Sequence, residues 1–72
     1  MVTVNFKLSS LGSVQVDIAH PTTFERILDQ CALRTGSTVG SVIATRDGKV
    51  LGLQEIVEKA DVIDVYPAIS GG

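Results

Sequence analysis

The chain offers few side chains able to do chemistry. It holds one cysteine, Cys31, and one histidine, His20, in 72 residues. No internal disulfide can form, and no Cys/His zinc set can be assembled. Cys31 has apolar neighbours three and four positions away, which predicts a core thiol; a reactive one needs exposure and a basic neighbourhood. His20 precedes Pro21 and reads as a surface loop histidine. Glu55 and Glu58, with Asp61 and Asp64, resemble paired carboxylates but predict the solvated faces of a short helix and a last strand. No glycine-rich phosphate loop opens a helix. No nucleophile, base and orienting group occur together, so the chain does not read as an enzyme.

What remains is the end, "YPAISGG", residues 66–72. A terminal carboxylate has a pKa of about 3.3–3.7, so it is ionised at neutral pH and a poor electrophile until activated. Glycine carries no Cβ, so Gly71 and Gly72 leave that carbonyl open to attack and able to pass a narrow channel. Pro67 stiffens the stretch, and Ala68, Ile69 and Ser70 complete it. Seven extended residues span about 23–25 Å, enough to enter a partner enzyme's pocket. A tail at residues 67–72 is therefore the candidate site, with Gly72 as its reacting residue. No metal ligand set is expected.

The balance of charge narrows the partners. The net charge is −2, and Lys7, Arg26, Arg34, Arg46, Lys49 and Lys59 form no run. Nucleic-acid binding needs a basic stripe, so that class is excluded. No long apolar run suggests a membrane span or a signal peptide. A lone unpaired cysteine points to a reducing cytoplasm.

The elements that must carry the tail follow from periodicity. "VTVNFKL" alternates, with Val2, Val4, Phe6 and Leu8 on one face, and "VQVDIA" repeats this with Val14, Val16 and Ile18. Together they predict a hairpin. Thr22-x-x-Glu25 has capping-box spacing, and Phe24, Ile27, Leu28, Cys31 and Ala32 form one helical stripe ending at Gly36. Leu33 lies off that stripe. "SVIATRDGKVL" predicts a second hairpin turning at Asp47-Gly48. Leu53, Ile56, Val57 and Ala60 recur at helical spacing and predict a short second helix. "DVIDVYP" is the last strand, with Ile63 and Val65 inward and Pro67 ending regular pairing. One domain, residues 1–72, results: an α+β fold with a mixed sheet of about five strands and one main helix packed on one face. The second strand, the helix and the next strand should make a right-handed crossover.

With this order and this ending, the chain resembles the ubiquitin-like sulfur carriers, which include the small subunit of molybdopterin synthase (MoaD) and the thiamine-biosynthesis sulfur carrier (ThiS). Asp61, Ile63, Val65, Pro67, Ile69, Gly71 and Gly72 take the places of their closing pattern, and the length and element order match the β-grasp fold throughout. The resemblance implies a mechanism. A ubiquitin-activating-type adenylyltransferase uses ATP to adenylate the Gly72 carboxylate. A persulfide sulfur replaces the adenylate to leave a thiocarboxylate, and a synthase accepts that sulfur. No cofactor is bound by the carrier itself. Two departures stand out. Lys59-Ala60-Asp61 replaces the family's frequent Asp-Gly-Asp, and since Ala disfavours the left-handed region the turn is expected to be built differently. Ala68 replaces the second proline of the molybdopterin branch.

A second reading shares the adenylation: a protein modifier joined to lysines through Gly72. A third is a β-grasp interaction domain with an incidental tail. Leu11, Leu51, Leu53 and Ile69 are the candidate apolar anchors for a partner; Leu51 and Leu53 read more readily as core, which leaves Ile69 as the better anchor.

Overall fold

The structure, a computed structural model, describes residues 1–8, 11–36 and 41–67. Strand β1 (Val2–Phe6) pairs antiparallel with β2 (Gly12–Val16), Val4 facing Val14. The chain then forms the two-residue strand β3 (Thr22–Thr23) and helix α1 (Phe24–Thr35). Strands β4 (Val42–Arg46) and β5 (Lys49–Leu51) make the second hairpin. Strand β6 (Ile56–Val57) pairs with β3, and β7 (Val62–Pro67) closes the fold. The main sheet runs β2-β1-β7-β4-β5; β7 is parallel to β1 and antiparallel to β4.

Alternation explains the core. Val2, Val4, Phe6, Val16, Ala44, Leu51, Ile63 and Val65 face inward and meet Phe24, Ile27 and Cys31 of α1, with Val57 beside them. Leu28, Val14 and Ile18 are half-buried against this cluster, as their stripe and alternation predict. Asp47 and Gly48 have φ of 55° and 78°, the two positive values that a two-residue hairpin turn requires. Gly36 stops α1 at φ 70°, and its N–H donates to the Ala32 carbonyl. Strands β2 and β4, joined through α1, are separated by β1 and β7 in the sheet.

Four expectations are corrected. The short second helix over 53–60 does not form: its segment is a turn, strand β6 and a second turn. An isolated helix this short gains little from its own hydrogen bonds. The carbonyls it would need are used elsewhere. Leu53 O accepts from the Glu25 N–H, and Glu55 O accepts from the Phe24 N–H, each at 3.0 Å. Next, the helix cap is Thr23 rather than Thr22. Thr23 holds the extended backbone of a cap, and its Oγ1 accepts from the Arg26 N–H at 3.4 Å. Leu8 is 83% exposed, not inward, because β1 ends at Phe6 and Leu8 adopts φ 56°. Finally, Pro67 belongs to β7, opposite Val42, rather than to the tail.

Candidate functional site

The root of the tail is β7. It lies between β1, which pairs with residues 62–65, and β4, which pairs with residues 64–67. Ile63 and Val65 are fully buried beneath, and the Lys7 N–H donates to the Val65 carbonyl at 2.8 Å. Gly72, Gly71, Ser70, Ile69 and Ala68 follow directly and lie outside the described residues. Five residues beyond Pro67 reach at most about 16–18 Å, less than the reach of a seven-residue tail.

On the open face of the sheet, Ile43 and Tyr66 stand opposite one another on β4 and β7, both exposed. Val50 and Val62 are exposed on the same face. These four were missed in the sequence. "SVIAT" places Val42 and Ile43 side by side, and only the burial of Ala44 decides that Ile43 points out. Of the predicted anchors, Leu51 is core at 5% exposure, Leu11 is half-buried against the core, and Leu53 is exposed in the turn after β5. Ile69 lies outside the described residues.

The middle of that face is polar. Asn5 Nδ2 donates to Asp64 Oδ1 at 3.2 Å, and Ser13 Oγ donates to Asn5 Oδ1 at 2.6 Å. Lys7 Nζ is 4.0 Å from Asp64. Asp64 is thus a cross-strand acceptor, not merely a solvated carboxylate. Asp61 is corrected in the same way. Its Oδ2 accepts from Arg46 Nη1 at 3.0 Å and from the Glu58 N–H at 2.9 Å, while the same Nη1 donates to Ile56 O at 2.8 Å. This clasp closes the turn from Glu58 to Asp61, whose Asp61 N–H donates to Glu58 O at 3.2 Å. Ala60, the third residue of the turn, has φ 70°. The left-handed conformation expected to be avoided here is therefore adopted, with Ala where type II turns favour Gly. The bonds to Asp61 hold it.

Cys31 is fully buried, and burial raises its thiol pKa while Arg34 acts the other way. It is a protonated core thiol at neutral pH. His20 is exposed, with Nδ1 3.1 Å from the Pro21 carbonyl. Glu55 accepts from the Gly52 N–H at 3.0 Å and is otherwise exposed, as is Glu58. Among the described residues no group of three or more His, Cys, Asp or Glu could hold a metal ion. None of their helices is long and apolar enough to cross a membrane.

No protein-family model matches the sequence, and no curated protein matches it. Among solved structures the chain is similar to SAMP1 from Haloferax volcanii, with a TM-score of 0.72 at 19% identity over 99% of this chain and 98% of that one. The likeness extends from the first strand to the last, and the chain has the ubiquitin-like β-grasp fold.

Proposed function

We propose that the protein is a sulfur carrier that reacts through the Gly72 carboxylate and performs no catalysis of its own. The observation that supports this reading is the place of the ending in the fold. A ubiquitin-like sheet carries its central strand β7 to Pro67 and delivers Ala-Ile-Ser-Gly-Gly from there. A partner adenylyltransferase joins the carboxylate to the AMP moiety of ATP, and pyrophosphate leaves. A sulfur nucleophile displaces AMP, so that one oxygen of the terminus is exchanged for sulfur. A synthase then takes that sulfur into a cofactor of the molybdopterin or thiamine type. The activating enzyme grips the exposed Ile43–Tyr66 pair beside the root while the tail enters its pocket.

The test is intact-mass spectrometry after incubation with ATP, a sulfur source and an activating enzyme that works on related carriers. The expected result is an oxygen-to-sulfur exchange at Gly72, abolished by deleting Gly72 with no change in circular dichroism. An unchanged mass for the full chain would refute the carrier reading. The modifier reading uses the same first step, and the ubiquitin-like fold accommodates it equally. It predicts high-mass adducts in cells with a Gly-Gly remnant on lysines and no thiocarboxylate requirement.

A further inference from the structure

Asp64 stands where strand chemistry disfavours it. Aspartate is among the residues least suited to a strand, and this one sits in the middle of the central strand β7. It is the one acidic residue in the five strands of the main sheet. No residue of β7 has a positive φ, so the misfit is one of side chain and not of backbone. A break with local preference of this kind is expected at functional positions.

The neighbouring strands fix its side chain. Register places Ser13, Asn5, Asp64 and Thr45 in one row across β2, β1, β7 and β4. The Ser13 hydroxyl donates to Asn5 Oδ1, and the Asn5 amide donates to Asp64 Oδ1. No hydrogen bond from a described residue reaches Asp64 Oδ2, and the side chain is 38% exposed. Lys7 Nζ lies 4.0 Å from Oδ1, at the outer limit of an ion pair, and so exposed a contact contributes little. The carboxylate is thus held in place with one oxygen open. Tyr66 follows two residues later on the same face, about 7 Å along the strand, with its side chain exposed. Val62, two residues earlier, and Ile43, opposite Tyr66, are exposed beside them.

We propose that Asp64 and Tyr66 together receive an arginine of the partner protein that docks on this face. The guanidinium donates to Asp64 Oδ2 and lies over the Tyr66 ring, while Ile43 and Val62 form an apolar collar that keeps water out. A planar guanidinium pairs with a carboxylate and stacks on an aromatic face at once, a combination that the compact, strongly hydrated ammonium of lysine serves less well. Because Asn5 and Ser13 already orient the carboxylate, little ordering remains to oppose binding. The inference rests on the carrier reading only for the identity of the partner, the activating enzyme; the preference for arginine belongs to the face itself.

The first measurement uses no enzyme. The full chain is titrated with three blocked tripeptides, leucine–X–leucine, in which X is arginine, lysine or citrulline, a neutral isostere of arginine. Amide and tyrosine-ring chemical shifts report binding. The arginine peptide should shift Val62–Tyr66, Asn5 and Ile43 at millimolar concentration and bind about threefold or more tighter than the other two. Asp64→Asn keeps an oxygen for Asn5 and the circular dichroism, and should erase the preference. Lys7→Gln removes a competing cation and should tighten the arginine peptide by about twofold, a gain that a merely structural Asp64 does not predict. Equal binding of the three peptides, shifts away from this face, or no shifts overturn the proposal. The second measurement is the rate of Gly72 activation against carrier concentration. Asp64→Asn and Tyr66→Ser should each raise KM by about tenfold with little change in kcat, and Tyr66→Phe should restore it. An unchanged KM for Asp64→Asn overturns the arginine contact and leaves the carrier reading standing. A wild-type chain that is never activated but still selects the arginine peptide refutes the carrier reading and upholds the contact.

Discussion

Ala60 holds a conformation that costs an L-residue with a Cβ about 1–2 kcal/mol. It persists because Asp61 Oδ2 accepts from the Glu58 N–H across the same turn and from Arg46 Nη1 on β4. Ala60→Gly removes the Cβ clash and gives back part of the gain through a more flexible unfolded chain. The expected net effect is stabilisation by about 0.5–1 kcal/mol, seen as a higher urea midpoint at unchanged slope. Cys31 makes a different prediction. Burial raises its pKa above the unfolded value of about 9.0, so as pH rises the unfolded chain loses the thiol proton first. This contribution to stability is therefore complete at neutral pH and declines through the alkaline range above the unfolded pKa. Cys31→Ala should flatten that alkaline loss in denaturant titrations. In the native protein the thiol should react with a disulfide reagent only at the rate of opening.

At the scale of elements, residues 53–60 decide the most. Their spacing is helical, yet they serve as a strap: the carbonyls of Leu53 and Glu55 cap the start of α1, and Ile56–Val57 pair with β3. Arg46, on β4, holds the strap through Ile56 O and Asp61. Arg46→Ala should therefore release the strap before the sheet. Hydrogen exchange should accelerate at Ile56–Asp61 with β1 and β7 protected, and global stability should fall by about 1–2 kcal/mol. Equal acceleration in β1 would refute a local role. The helix α1, both hairpins and the last strand were legible in the sequence, because each carries its own period and its own turn or cap residues. The strap was not, because the partners that claim its carbonyls lie some thirty residues earlier in the chain.

For the whole molecule, the sheet order sorts apolar residues into a core and an exposed face. Leu51→Asp puts a charge into the core and should unfold the domain, a loss on the order of 3 kcal/mol or more. Ile43→Asp should leave the thermal midpoint nearly unchanged and slow activation of Gly72 by the partner enzyme. A normal rate of activation for this variant would remove Ile43 from the docking surface. The candidate site divides in the same way. Gly72 as the proposed reacting residue is an expectation from the Gly-Gly ending, whereas Ile43 and Tyr66 became neighbours only when β4 and β7 paired.

The sequence by itself determined the five strands of the main sheet and helix α1, the Asp47-Gly48 turn, the inert core cysteine and the ending that the proposed chemistry uses. These depend on residues close together in the chain, where period, conformational preference and capping act locally. Tertiary structure decided which of Val42 and Ile43 faces out, how the strap from Leu53 to Asp61 is spent, and why Ala60 tolerates a left-handed turn. It also placed β7 between β1 and β4 and left β2 at an open edge. Each of these depends on a partner distant in sequence, through a hydrogen bond or a strand pairing that no local pattern encodes.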